Sequence, residues 1–458
     1  MFSNFFRYFI KYLNILTDVF QILNQLIFLF KDEFMNQPTK QEKRNISTTD
    51  LNKIRQKKKI LSLLHSNGQT SATELAKLLK ISLPTCIVLL NDLITSGYLK
   101  NIGVGESSGG RKPSLYGLSE GVFYVIACDF ARYSANMAVF DCYNKFITPV
   151  VQIDTNIDDP QLSDKLYEAA KKLMMEHSIP EEKILGLGVD MPGLINSKAG
   201  INYTIKDKKH QNIGRDLKLK FNKLVYIDND ARMHAHGEFQ FGAAKNYKDA
   251  IIIHWSWGLG LGIFVNGQLY SGKNGFAGEF SHIPMVENGE LCICGKRGCL
   301  ETIASSNTIM KRVVQGFKDQ VISSLINQFQ EHPERVTPED VILSARMGDE
   351  FCIAILNEIG AAMGKGLSYI IQLLNPEVIV LSGPLSKARQ YVLSPIQQSL
   401  NRLCLEKISE STPILISDMG DQSALLGTSE MIFQKVFTEM NFAELMLQEN
   451  KAKNLNGA

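Results

Sequence analysis

No stretch of this chain is long and apolar enough to span a membrane. The longest uncharged run near the start, Val19–Phe30, has 12 residues and is interrupted by Gln21, Asn24 and Gln25. A span needs roughly 20 mainly apolar residues. No small-residue cleavage site follows it, so a secretory signal is not expected either. Short-period repeats and long low-complexity linkers are also missing. Cysteine is scarce: five of the eight (Cys86, Cys128, Cys142, Cys352 and Cys404) stand singly, mostly in apolar runs, which argues reduced thiols in a cytoplasmic protein rather than a disulfide framework. With 45% hydrophobic and 21% charged residues, 458 residues suffice for two or three globular domains. Met35 opens a polar, basic stretch that reads as a natural start. Residues 1–34, with Phe2, Phe5, Phe6, Phe9 and Ile10, are then an upstream extension, the alternative being an amphipathic helix lying on a surface.

The near-neutral total charge hides an asymmetry. Residues 36–118 hold 13 Lys/Arg against 5 Asp/Glu, whereas residues 119–458 hold 33 against 39. A basic front on an acidic body is the layout expected when only the front meets a polyanion. Within that front, Ile60, Leu61, Leu63 and Leu64 follow the run Lys57–Lys58–Lys59, and Asn67–Gly68 ends a first helix. Ser71 and Glu74 have capping-box spacing for a second, Ala72–Leu79, and Ser82 caps a third from Leu83 to about Ser96. A Gly/Ser-rich basic tip then runs from Gly103 to Arg111–Lys112–Pro113. Three helices and a basic hairpin describe a winged helix-turn-helix spanning residues 35–120, whose third helix enters the major groove of double-stranded DNA. Pro84, Thr85 and Val88 are expected to face bases, with Cys86, Leu90, Leu93 and Ile94 packed inward. Lys57, Lys58, Arg111 and Lys112 are expected at phosphates. The competing reading is a small helical protein-interaction domain with a solvated charge run.

The densest chemistry lies further on. His282, Cys292, Cys294 and Cys299 fall within twenty residues, with Gly295 and Gly298 at the turns and Glu279 and Glu301 on either side. Three thiolates and an imidazole make the closed four-ligand set that Zn²⁺ takes in structural sites. Around this cluster, residues 121–458 alternate strands and helices. Strands are expected at Val122–Asp129, Ser134–Phe140, Lys183–Val189, Leu224–Ile227, Ala250–Trp255, Ile263–Val265, Glu377–Leu381 and Pro413–Ile416. Loops are expected at Asp190–Gly193, Asp228–Asp230 and Gly258–Gly262. Strands ending in Gly/Asp loops argue an α/β body whose site lies along the loop ends. Asn229–Asp230 also suits a helix N-cap.

The motifs Gly186–Leu–Gly–Val–Asp–Met–Pro–Gly193, Asn229–Asp230, Gly275–Phe–Ala–Gly–Glu–Phe–Ser–His282, Cys299–Leu300–Glu301 and Asn375–Pro376–Glu377 together resemble the ROK family of sugar kinases and sugar-responsive repressors. The resemblance covers about residues 52–435. It implies an α/β, two-lobed actin-like (ribonuclease-H-like) ATPase fold, with lobes at about 121–240 and 241–435 and a C-terminal helix and tail at 436–458. It also implies zinc on His282, Cys292, Cys294 and Cys299, and a sugar or sugar phosphate held by Gly193, Asn229, Asp230, Glu279, His282 and Glu301. The kinases of the family carry Asp-x-Gly-Gly-Thr at the first hairpin, where this chain has Asp129–Phe130–Ala131–Arg132–Tyr133. Arg132 and Tyr133 are expected to fill the space for phosphates. Ser256–Trp257 replaces Gly-Thr before Gly258, Ser382–Gly383 replaces Gly-Gly, and Ser281 stands where Gly is usual. Asp230, the position of the general base, survives, but no catalysis is expected. The expectation is therefore a repressor acting as a homodimer or homotetramer on an operator. The alternative is an ATP-dependent sugar kinase with an accessory DNA-binding domain.

Overall fold

The computed structural model describes residues 48–105, 112–131 and 134–439. Residues 1–34, Arg111, Arg132 and Tyr133, and the expectations attached to them, lie outside the described residues. Two compact units emerge: residues 48–61 and 72–93 form one, and residues 62–71 and 94–439 the other. No single described helix is long and apolar enough to cross a membrane.

The first unit holds most of three helices, α1 (Thr48–Asn67), α2 (Ala72–Leu79) and α3 (Leu83–Thr95). Ser82 Oγ accepts the Thr85 amide at 3.3 Å and so caps α3. Ile60, Leu61, Leu75, Cys86, Leu90 and Leu93 are buried, as the apolar spacing requires.

The second unit opens with a small sheet of order β1-β3-β2, where β1 is Thr70–Ser71, β2 Leu99–Val104 and β3 Ser114–Leu118. Two five-stranded sheets follow. One has order β10-β7-β4-β5-β6, from β4 (Tyr124–Phe130), β5 (Ser134–Asp141), β6 (Val151–Asp154), β7 (Ile184–Met191) and β10 (Leu224–Asn229). The short pair β8 (Ile195–Asn196) and β9 (Ile201–Asn202) lies between β7 and β10 in sequence. The other sheet has order β13-β12-β11-β14-β15, from β11 (Ala250–Trp255), β12 (Leu259–Val265), β13 (Gln268–Leu269), β14 (Val378–Ser382) and β15 (Ile414–Ile416). The plans match. In each sheet three strands run antiparallel in sequence, and the first of the three is continued by two parallel ones. Helices α4 (Leu162–Glu176) and α5 (Ile213–Phe221) contribute Leu166, Leu173 and Leu217 to a core on the first sheet. Helices α7 (Ser306–Lys318), α8 (Pro338–Arg346), α9 (Glu350–Leu374) and α10 (Gln390–Leu403) build a larger core on the second. This is the two-lobed α/β plan that the resemblance implied.

The expected loop Gly258–Gly262 is mostly strand. Gly260 and Gly262 lie in β12, opposite His254 and Ile252 of β11. A Cβ on Gly260 would overlap Ala231, and one on Gly262 would overlap Ala235. These glycines let α6 (Asp230–Gln240) pack closely on the sheet. The last helix, α11 (Ser423–Glu439), returns to the first sheet, where Gly188 makes room for Thr428 and Ile432. Helices α6 and α11 cross with glycines at the contact: a Cβ on Gly427 would overlap the Met233 carbonyl, and one on Gly237 the Ser423 carbonyl. Inserting a methyl group into such a contact costs about 1–3 kcal/mol. Gly427→Ala should therefore lower the thermal midpoint by several degrees in a circular-dichroism melt. Gly258→Ala, whose Cβ would meet open space, should leave it unchanged.

Candidate functional site

The ends of β7 and β10 are parallel neighbours, with Asn229 level with Met191. Ligand sites in such sheets lie beyond the carboxyl ends of the strands. Asn229 is the N-cap of α6, its Oδ1 accepting the Arg232 amide at 3.3 Å, while its Nδ2 donates to the Gly193 carbonyl at 3.2 Å. The cap thus also ties the helix start to the Gly193 loop. Gly193 has φ +116°, and a Cβ there would meet Thr204 Oγ1 at 2.5 Å. Its loop is pinned by the fully buried Asn202, which donates to the Pro192 carbonyl at 3.1 Å, and by Thr204 Oγ1, which accepts the Leu194 amide at 2.9 Å.

Three aspartates stand side by side across these strands, Asp129 level with Asp190 and Asp190 level with Asp228. Burial, then the charge of Asp129, holds Asp190 well above the usual carboxylate range, and Thr428 Oγ1 donates to it at 2.6 Å. Asp228 is ionically paired to buried Arg232 and accepts Tyr226 Oη at 2.5 Å. Asp230 is pushed up to about 6, by burial first, against the pull of the Ala231 amide 2.8 Å away.

Arg232 was not anticipated, although its i,i+4 spacing from Asp228 was readable. Besides Asp228 it donates to the Gly275 carbonyl, tying α6 to the loop that carries Glu279. That loop also rests on β12: a Cβ on Gly278, φ +98°, would meet the Leu261 carbonyl at 2.6 Å. Ala231, next to Asp230, lies against Gly260 of the same strand. His282 stands between two carboxylates, its Nε2 4.0 Å from Glu279 Oε2 and its Nδ1 3.8 Å from Glu301 Oε2. All three are partly exposed, as groups that meet a ligand must be.

The ligating atoms of His282, Cys292, Cys294 and Cys299 lie within 4.8 Å of one another. Cys292 Sγ is 3.6 Å from His282 Nδ1, and Cys294 Sγ is 3.6 Å from Cys299 Sγ. A tetrahedral ion with Zn–S of about 2.3 Å would set sulfurs about 3.8 Å apart. The donor set and its spacing fit zinc. The Cys292 amide donates to the Lys296 carbonyl at 2.8 Å to close the tight turn through Gly295, and a Cβ on Gly298 would overlap the Val286 carbonyl. Burial and the neighbouring sulfurs push the Cys299 thiol up to about 12, while the Lys296 amide holds Cys294 below its usual range. A divalent cation at their centre favours the thiolate at every position.

In the segments that the resemblance aligned with the kinases' phosphate loops, backbone amides are hydrogen-bonded within the protein. The Ala131 amide donates to the Ser134 carbonyl at 2.9 Å, and the Ser256 amide to the Gly258 carbonyl at 3.1 Å with Trp257 half-exposed. Ser382 Oγ turns inward, 3.0 Å from His234 Nε2, and Ser423 Oγ lies 2.9 Å from His234 Nδ1. Burial, then the adjacent His254 ring, keeps His234 neutral at ordinary pH.

In the helical unit, Pro84, Thr85 and Val88 are exposed and Cys86 is buried. Lys57 Nζ is 3.1 Å from Asp92 Oδ2, a partly exposed pair worth under about 1 kcal/mol. In the second unit Lys112 is exposed beside the hairpin tip.

The model of the ROK family matches residues 126–435, and a winged helix-turn-helix DNA-binding model matches residues 55–100. The chain belongs to the ROK family. It is 28% identical over 391 residues to the xylose repressor of Caldicellulosiruptor bescii, covering 84% of this chain and 96% of that protein. It is 32% identical over 295 residues to the glucokinase of Halalkalibacterium halodurans, covering 62% and 87%. A solved ROK family transcriptional regulator, a homolog of the E. coli MLC protein, matches the fold with a TM-score of 0.74 at 23% identity, over 86% of this chain and 99% of that one.

The half-buried carboxyl of Asp230 should titrate near pH 6. Difference infrared spectra across that range should show a carboxyl band lost in Asp230→Asn.

Proposed function

We propose that this chain is a sugar-responsive transcriptional repressor of the cytoplasm, built as a homodimer or homotetramer and released from its operator by a sugar or sugar phosphate. The observation that carries this reading is the match to a winged helix-turn-helix; it is supported by Asn229 held at Gly193, His282 set between Glu279 and Glu301, and Ser382 turned toward His234. Carboxylates and an amide converging on one crevice can accept from and donate to several hydroxyls at once. An epimer that leaves one of them unpaired is rejected. Pro84, Thr85 and Val88 would meet base edges, and Lys57, Lys58, Arg111 and Lys112 phosphates. Paired half-sites need paired reading heads, hence the oligomer.

The fit of His282, Cys292, Cys294 and Cys299 supports a structural zinc ion. With Nδ1 toward the sulfurs, His282 keeps Nε2–H on the side of Glu279, so the ion would orient both residues for a ligand. Elemental analysis should find one zinc per chain. Cys294→Ser, which removes a ligand, should lose the ion and weaken sugar binding by freeing His282 beside Glu279.

The operator reading is tested by binding of the chain to the DNA upstream of its own gene, at near-physiological salt with excess competitor. Xylose, glucose, N-acetylglucosamine and their phosphates are added in turn, with xylose first because a relative is a xylose repressor. The expected result is specific binding that one sugar weakens by about 5–150-fold, the usual range for coupled sites. Absence of specific binding under every condition would overturn it. The identity to a glucokinase and the survival of Asp129 and Asp230 favour sugar kinase as the second reading, which sugar-dependent ATP consumption would establish.

A further inference from the structure

The last turn of α1 belongs to the second unit, and there His65 is buried. Its Nδ1 is 2.7 Å from the Cys142 carbonyl and its Nε2 is 2.9 Å from Glu430 Oε2. The ring is thus held between two groups that accept hydrogen bonds, a backbone carbonyl and a carboxylate. Phe433 and Phe437 flank it, with ring centroids 4.7 and 5.4 Å away. Glu430 also accepts from Asn144 Nδ2 at 2.7 Å and from Gln434 Nε2 at 2.9 Å. Burial pushes the Glu430 carboxyl up, but the hydrogen bond and charge of His65 prevail and hold it at about 2. A buried ion pair of this kind contributes little net stability, yet losing one partner is costly, so it fixes a geometry.

Cys142 and Asn144 lie in one tight turn, residues 141–145, that follows β5. The same turn holds the wing's exit: Tyr143 Oη donates to the carbonyl of Leu118, the last residue of β3, at 2.6 Å. The C-terminal end of α1 and the C-terminal end of β3 are thus gripped by a single turn of the sugar-binding body. Glu430 itself sits on α11 three residues beyond Gly427, whose carbonyl faces His236 Nδ1 of α6 at 3.1 Å. The first residue of α6 is Asp230.

We propose that the His65–Glu430 pair and the 141–145 turn form the junction through which a ligand at Asn229 and Asp230 changes the DNA-binding state. The proposal rests on the repressor reading. A shift of α6 on ligand binding passes to α11 across a crossing that has no spare space, and α11 carries Glu430 toward or away from His65. His65, Glu430 and Asn144 are positioning residues and touch neither sugar nor DNA in this scheme.

The test compares wild type, His65→Gln, Glu430→Gln, the double variant and Asn144→Gly, which keeps the turn's left-handed φ of +56°. Operator affinity is read by fluorescence anisotropy with and without the sugar most effective on wild type. Sugar affinity without DNA is read by calorimetry, and folding by circular dichroism and zinc content. Sugar binding and zinc should stay at wild-type levels, while the ratio of operator Kd with and without sugar falls about ten-fold in each single charge variant. The double variant should lose less than the two singles combined, as contacting partners do. If Glu430→Gln or His65→Gln misfolds, Asn144→Gly still decides, with a smaller loss in the same direction. Folded variants that keep the wild-type ratio would overturn the junction alone. A wild-type protein indifferent to every sugar would overturn the repressor reading and the junction together.

Discussion

The body of this protein depends on close approach at glycines. Helices α6 and α11 lie between the two large sheets. Backbone meets backbone at Gly237 and Gly427 where the helices cross, and a strand backbone meets small or β-branched side chains at Gly260 and Gly262, where α6 packs on β12, and at Gly188, where α11 packs on β7. Such contacts have little space to absorb a displacement. Packed interiors transmit strain because their voids are few. The strand ends that carry Asp190, Asn229 and Asp230 are therefore mechanically close to the last helix, although that helix is two hundred residues away in sequence.

Much of this was legible in the sequence where the determinants are local. The capping pattern at Ser71 and Ser82 placed α2 and α3, and the cysteine spacing placed the metal loop. The β-rich runs at Tyr124, Ile184 and Ala250 placed the sheet cores. The glycines of β12 were read as a loop because glycine runs usually mark turns, whereas here they admit Ala231 and Ala235 of α6. Asn202 and Thr204 were missed because their work is to hold the backbone of Gly193, which leaves no periodic trace. The pairing of α11 with the first sheet is a long-range contact for which no local rule exists.

On the repressor reading, the fold would keep contacts to hydroxyls while giving up those to a nucleotide. A kinase relies on backbone amides left free to point at phosphate oxygens. Here the Ala131 and Ser256 amides close tight turns, and Ser382 and Ser423 direct their hydroxyls at a buried histidine. These polar groups are satisfied within the protein. The carboxylates of the cleft remain partly exposed.

Asn229 spends one lone pair on the start of α6 and one N–H on the carbonyl of Gly193. Turning its amide over would set oxygen against oxygen and N–H against N–H, so the end that faces the cleft has a fixed polarity. One donor and one acceptor are left, each aimed by the backbone before any ligand arrives. The remaining N–H and lone pair therefore keep directions set by the helix start and by the Gly193 carbonyl.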